Sequence, residues 1–183
     1  MPKQQQIVNQ LHPTESRWFA VYTGFRKEKV VKELLKKKQI QAYLPLQKVT
    51  RRWQRKIKHF EIPLINCYLF VNITRAEYVK VLETEYVLNF VKFARDLYAI
   101  PDEEIYTMKR VVMDESSEAQ LVATEYNEGD VVEITTGNLV GLQGKLIAKE
   151  GKHRLLVELN TLGYSLQISV EENWLRKLQF ATA

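Results

Sequence analysis

Past residue 125 the chain holds strand patterns and glycine turns with no helical period, whereas before residue 114 strands and amphipathic helices alternate. That change of pattern divides the chain. Its 183 residues suit two small domains or one large one. Charge divides at the same place. Residues 1–113 carry 21 Lys/Arg against 11 Asp/Glu, and residues 114–183 carry 6 against 11. A basic part suits a polyanion and an acidic part suits a protein surface. Charge that merely keeps both parts soluble explains the same numbers.

In the first part, Arg17–Thr23 is aromatic and β-branched and reads as a strand ended by Gly24. From Phe25 to Lys38 the period becomes helical. Val30, Val31, Leu34 and Leu35 share one face, opposite Arg26, Lys29, Lys32 and Lys36. A short strand follows at Gln41–Leu46, then a basic run from Lys48 to Lys58 with no acid. The second half of Ile62–Ile73 reads as a central strand. Thr74 and Glu77 have capping-box spacing ahead of a helix through Tyr78, Val81 and Leu82. Tyr86–Phe93 reads as a strand. Pro101-Asp-Glu-Glu opens a helix with an apolar stripe at Ile105, Met108 and Val112. The order predicts an α+β fold, an α/β sandwich with helices packed on an antiparallel sheet. Asp114–Glu125 loses the period and reads as a linker. Five strands are then expected at Val131–Thr135, Lys145–Ala148, Leu155–Leu159, Leu166–Val170 and Trp174–Leu178. Glycine turns between them suggest a small five-stranded β-barrel, which closes its own edges.

Several classes are disfavoured. No stretch is long and apolar enough to cross a bilayer. Met1–Glu15 is polar and Gln-rich, so no signal peptide is expected, and the cytoplasm is the expected compartment. Cys67 has no internal partner for a disulfide. An enzyme needs grouped acids or histidines, but His12, His59 and His153 are scattered. No catalytic residue, metal or cofactor is expected.

The residues also resemble a family. Trp18–Thr23, a basic amphipathic helix, and Tyr68-Leu-Phe-Val71 are similar to the N-terminal domain of NusG transcription elongation factors. Gly129-Asp-Val-Val-Glu-Ile134, then Gly137, Gly141 and Gly144, then Leu162-Gly163, resemble a KOW domain. The resemblance implies a NusG-like domain at 17–113, a linker at 114–125 and a KOW barrel at 126–180. Tyr43–Lys48, Arg51-Arg-Trp53, Pro63-Leu-Ile65, Phe90–Phe93 and Ile100–Ile105 look like the UpxY-type paralogs, antiterminators of capsular polysaccharide operons. One stretch departs from the family. NusG proteins commonly have Phe-Pro-Gly before the tyrosine, where Ile65-Asn-Cys67 stands here.

The resemblance implies that Tyr22, Tyr68 and Phe70 line a hydrophobic concavity for the RNA polymerase clamp helices. Strand alternation puts Tyr68 and Phe70 on one face and Leu69 and Val71 on the other. Either face could be the core, and the aromatic one is the expected binding face. Arg51, Arg52, Trp53 and Arg55 interleave cations with an aromatic ring, as contact with nascent RNA or DNA needs. A solvated hairpin tip is the alternative. Arg26 and Lys29 match a region where specialised relatives touch the non-template DNA strand. Leu142, Leu162 and Gly163 match loop positions that dock a ribosomal protein or Rho, and the two leucines are expected at exposed tips. Gly141 and Gly144 are expected to bracket a tight turn, in which role they only shape the barrel. A monomer that acts by binding is implied. The competing class is a ribosomal or RNA-binding KOW protein, although the basic part of this chain is not its KOW part. Val, Ile, Thr and glycine after residue 125 favour strands over the helical hairpin some relatives form there.

Overall fold

The computed structural model describes residues 8–53, 56–93, 95–114, 119–123, 129–149, 152–171 and 174–178. They form two compact units. One comprises residues 1–45 with 65–102, the other residues 46–64 with 103–183.

The first unit is built on strands β1 (Arg17–Thr23), β2 (Gln41–Tyr43), β5 (Tyr68–Ile73) and β6 (Val87–Phe90), in the order β2-β5-β1-β6. All neighbours are antiparallel. β1 and β5 pair from Arg17 opposite Ile73 to Tyr22 opposite Tyr68. One sheet face therefore carries Phe19, Val21, Leu69, Val71 and Ile73, all fully buried. Phe90 pairs with Val21 on that face, meets Phe19 edge-on, and stacks on Tyr78 at 4.5 Å. Helices α1 (Glu28–Lys37) and α2 (Tyr78–Leu82) bury Val31, Leu35 and Val81. Val30, expected on the buried side of α1, is exposed. A 3₁₀ turn at Arg75–Glu77 leads into α2. There the Glu77 carboxylate accepts from the Thr74 backbone N–H at 2.8 Å and the Thr74 hydroxyl at 2.9 Å, using the spacing that predicted a cap.

The second unit contains the hairpin β3 (Leu46–Trp53) and β4 (Lys56–Pro63), helix α3 (Asp102–Met113) from Glu103 onward, and a six-stranded sheet. The sheet strands are β7 (Ala119–Ala123), β8 (Val131–Ile134), β9 (Gln143–Lys149), β10 (Lys152–Leu159), β11 (Tyr164–Val170) and β12 (Leu175–Lys177), ordered β12-β8-β9-β10-β11-β7. The five expected strands are present, and no helix replaces them. β7 is a sixth, pairing antiparallel with β11 inside the stretch read as a linker. A linker was the expectation because the segment's apolar period fades. A strand needs only five residues and a free edge to pair with. The hairpin and α3 fall in this unit, whereas the sequence reading assigned both to the N-terminal domain. On α3 the buried residues are Ile105, Met108 and Val111, with Val112 half-buried. No helix among the described residues is long and apolar enough to cross a membrane.

Candidate functional site

β1 and β5 bring Tyr22 and Tyr68 together edge to face. Their rings lie 4.7 Å apart at 60°, and the Tyr68 hydroxyl donates to that of Tyr22 at 2.8 Å. The pair sits on the sheet face opposite Phe19 and Val21, together with Trp18, Ala20 and Phe70. Exposure differs sharply along that face. Tyr22 is 37% exposed, Tyr68 is buried, and Phe70 exposes nothing. Phe70 stacks on Tyr43 at 6.2 Å, and Trp18 meets Tyr43 edge-on. Burial pushes the Tyr43 hydroxyl far above its ordinary pKa, so it stays neutral. Of the three aromatic residues carried by the resemblance, Tyr22 is thus the accessible one and Phe70 is wholly covered.

The turn entering β5 explains how the chain departs from Phe-Pro-Gly. Cys67 takes φ +63°, a left-handed conformation glycine adopts without strain. Two hydrogen bonds hold it there. The Cys67 N–H donates to the buried Glu28 carboxylate at 2.7 Å, and its carbonyl accepts from the Thr23 N–H at 2.8 Å. Cys67→Gly is therefore expected to raise stability by about 0.5–1 kcal/mol, strain relief exceeding the added freedom of the unfolded chain. Equilibrium denaturation checks this; a loss of stability would mean that the cysteine side chain contributes more than its backbone costs.

Beyond the C-terminal end of β1, the loop Gly24–Lys27 meets the loop before β6. The Gly24 N–H donates to the Tyr86 carbonyl at 2.9 Å. Arg26 and Tyr86 also take left-handed conformations, φ +58° and +68°, each costing about 1–3 kcal/mol. The Arg26 guanidinium lies 5.0 Å from the Phe25 ring centre, and the Lys27 ammonium 4.6 Å from that of Tyr86. Phe25 is 70% exposed. Lys29, exposed, follows in the first turn of α1. Sequence reasoning singled out Arg26 and Lys29 and passed over Phe25 and Tyr86. The available signal was an aromatic residue directly after the glycine that ends a strand.

The hairpin pairs from Leu46 opposite Pro63 to Trp53 opposite Lys56. Arg51, Arg52 and Trp53 lie on its backbone near the tip, but their side chains, like all of Arg55, are outside the described residues. β4 is exposed along nearly its whole length, including Ile57, Phe60 and Ile62. Thr50 Oγ1 and His59 Nδ1 are 3.0 Å apart across the strands.

The loops expected to dock a partner differ from expectation. Leu142 and Leu162 are not exposed tips; they are 7% and 6% exposed, and Leu139 is buried with them. Gly163 is exposed with φ +67°. Both loops are hydrogen-bonded to α3. Arg110 donates to the carbonyls of Asn138 at 3.1 Å and Val140 at 2.7 Å, and Glu104 accepts from the Thr161 N–H at 3.0 Å. A sequence pattern marks leucines in loops without revealing which helix lies beside them. Gly141 has φ +82°, as a tight turn requires. Gly144 is glycine for another reason: an added Cβ would collide with the Leu156 carbonyl oxygen. Among the described residues, no group of three His, Cys, Asp or Glu is placed to hold a metal ion.

The family model described as transcription termination factor nusG matches residues 16–109. The chain belongs to the NusG family. A solved structure of Thermotoga maritima NusG, described as showing domain interaction, is 21% identical; the alignment covers 90% of this chain and 98% of that one with a TM-score of 0.57, a likeness of fold. Two conformations of the MjSpt4:Spt5 complex align at 19% identity, covering 88% and 91% of this chain and 97% and 99% of theirs, with TM-scores of 0.31 and 0.32. No curated protein matches in sequence. The family match covers β1, the aromatic face and the Gly24–Lys27 loop, so the Tyr22–Tyr68 pair lies within the segment that establishes membership.

Proposed function

We propose that this NusG-family chain is a transcription antitermination and elongation factor that binds the RNA polymerase clamp helices and suppresses pausing or termination. The observation that carries this reading is the Tyr22–Tyr68 pair. It offers a partly exposed ring braced by a buried one, and rigid aromatic anchors of this kind supply most of the energy when a surface takes a helix pair. A basic first part suits nucleic acid at the polymerase, with Arg26, Lys29 and the hairpin cations Arg51, Arg52 and Arg55 beside Trp53 as candidates. The second unit, with a KOW barrel as its proposed form, offers a ribosomal protein or Rho the surface around exposed Gly163, with Leu142 and Leu162 buried within the same two loops. The action requires binding alone and no catalytic group, and it belongs in the cytoplasm with the polymerase.

The UpxY-like segments narrow the proposal to one capsular polysaccharide operon. The test is in-vitro transcription across a terminator, with a capsule-operon leader and with an unrelated leader. Read-through confined to the capsule leader supports the operon-specific form. Read-through on both supports a general NusG factor. No effect on either template, with polymerase binding absent, sinks the reading.

A further inference from the structure

We propose that the outer edge of β4 takes an extended, acidic segment of a partner protein as a third strand of the β3–β4 ribbon. The carboxylates of that segment meet Lys56 and Lys58, and its apolar side chains meet Ile57, Phe60 and Ile62. The ribbon belongs to the other unit from the Tyr22–Tyr68 pair, so the clamp reading can fail without touching it.

A two-stranded ribbon is marginal in water by itself; a third strand or a packed face is what holds one. Among the described residues, β3 and β4 pair with each other and with no further strand. The two strands are unequal. β3 is half-buried at Leu46, Gln47 and Val49, and the Gln47 side chain donates to the Ala119 carbonyl at 3.0 Å. β4 is exposed from Lys56 to Ile62. Alternation sends Ile57 to one face of the ribbon and Phe60 and Ile62 to the other, all three exposed. Apolar residues bare on both faces, beside a backbone edge, are what an added strand covers. Its amides and carbonyls pair with the edge while its side chains extend both faces.

Charge chooses the partner. Residues 46–63 carry six Lys/Arg and one acid, Glu61. Lysine on a sheet edge discourages pairing with a second copy of the same edge. A strand bearing carboxylates replaces that repulsion with attraction. Nucleic acid is drawn to cations too, but Ile57 and Ile62 offer no ring on which a base could stack. An extended peptide presents a side chain to each face at every second residue, the spacing at which Phe60 and Ile62 stand. The nucleic-acid candidates Arg51 and Arg52 belong to β3, whereas Lys56 and Lys58 belong to β4. The ribbon is held in shape before any partner arrives. At its base Leu46 pairs with Pro63, and Ile65 just beyond is buried. Half-way along, Thr50 Oγ1 and His59 Nδ1 tie the strands at 3.0 Å. A pre-ordered edge loses less freedom on binding.

The experiment is fluorescence anisotropy of the full chain with a labelled, end-capped peptide of about ten residues, a usual strand length, alternating glutamate and valine. One copy is N-methylated at alternate residues and keeps one free edge; another is N-methylated throughout and keeps none. A lysine–valine peptide and a single-stranded DNA oligonucleotide complete the set. The wild type is expected to bind the acidic peptide and its half-methylated copy, and to bind the fully methylated and lysine peptides more weakly by roughly tenfold or more. Hydrogen exchange is expected to slow at the β4 amides when the acidic peptide is bound. Phe60→Ser with Ile62→Ser is expected to weaken binding on the order of tenfold. Lys56→Gln with Lys58→Gln, which leaves the apolar groups in place, is expected to weaken it and to flatten its salt dependence. No binding of the acidic peptide overturns the proposal. So does equal binding of the fully methylated copy, which would mean attraction by charge alone. DNA affinity that exceeds the peptide's and falls with it in the Phe60→Ser/Ile62→Ser chain would make the edge a nucleic-acid surface instead. Self-association of the wild type that the same variant abolishes would make the occupant a second copy, and also overturns it.

Discussion

Gly144→Ala is expected to destabilise the second unit by about 3 kcal/mol, near the upper end for inserted atoms in a packed interior. The alanine methyl would enter the space of the Leu156 carbonyl oxygen and reach 3.0 Å from a Leu155 methyl. Neither neighbour can retreat easily. β9 is hydrogen-bonded on both sides, to β8 and β10, and Leu155 is fully buried. A melting point lower by roughly 10 °C or more follows for a unit of this size. Gly137→Ala is the control. Gly137 has φ +80° with nothing within 4 Å of an added Cβ, so only the left-handed penalty of about 1–2 kcal/mol applies. Hydrogen exchange over β8–β11 reads both variants. Equal, small effects at the two positions would show that the strands shift to accept the methyl.

The second large effect separates folding from binding on the aromatic face. Phe70→Ala removes a ring with no exposed surface, and such deletions cost about 3–5 kcal/mol. Its loss of polymerase binding would therefore say little about contact. Tyr22→Ala removes an exposed ring and one hydroxyl–hydroxyl bond, at a folding cost of about 1 kcal/mol. If Tyr22 anchors the clamp, polymerase affinity falls about 30-fold, the size of a 2 kcal/mol interface anchor. Co-sedimentation with polymerase, beside a denaturation curve, checks both numbers. Full affinity in a folded Tyr22→Ala chain would remove the pair from the contact.

Much of the fold was legible because periodicity is local. The Val131, Lys145, Leu155, Leu166 and Trp174 strands, the cap at Thr74 and the helix from Pro101 all announce themselves within a few residues. β7 did not, because a strand at a sheet edge is specified by its partner β11 and not by its own pattern. The candidate site was legible in its residue types but not in its depth. Alternation placed Tyr68 and Phe70 on one face correctly, yet could not show that Phe70 lies wholly beneath Tyr43 and its neighbours. The meeting of the Gly24 loop with Tyr86 was not legible, because it is made by a long-range hydrogen bond between loops. The unusual Cys67 was legible as a departure, but its left-handed backbone, a conformation glycine adopts without strain, was not.

The hydrogen bonds from α3 to the two loops have a consequence for any affinity measured there. Arg110 occupies the carbonyls of Asn138 and Val140, and Glu104 occupies the Thr161 N–H. A ligand that needs those same backbone groups binds only the fraction of molecules in which α3 has let go. Its apparent dissociation constant is the intrinsic one divided by that fraction. An isolated fragment beginning after Met113 would then bind such a ligand more tightly than the whole chain does, and the ratio of the two constants measures the grip of the helix.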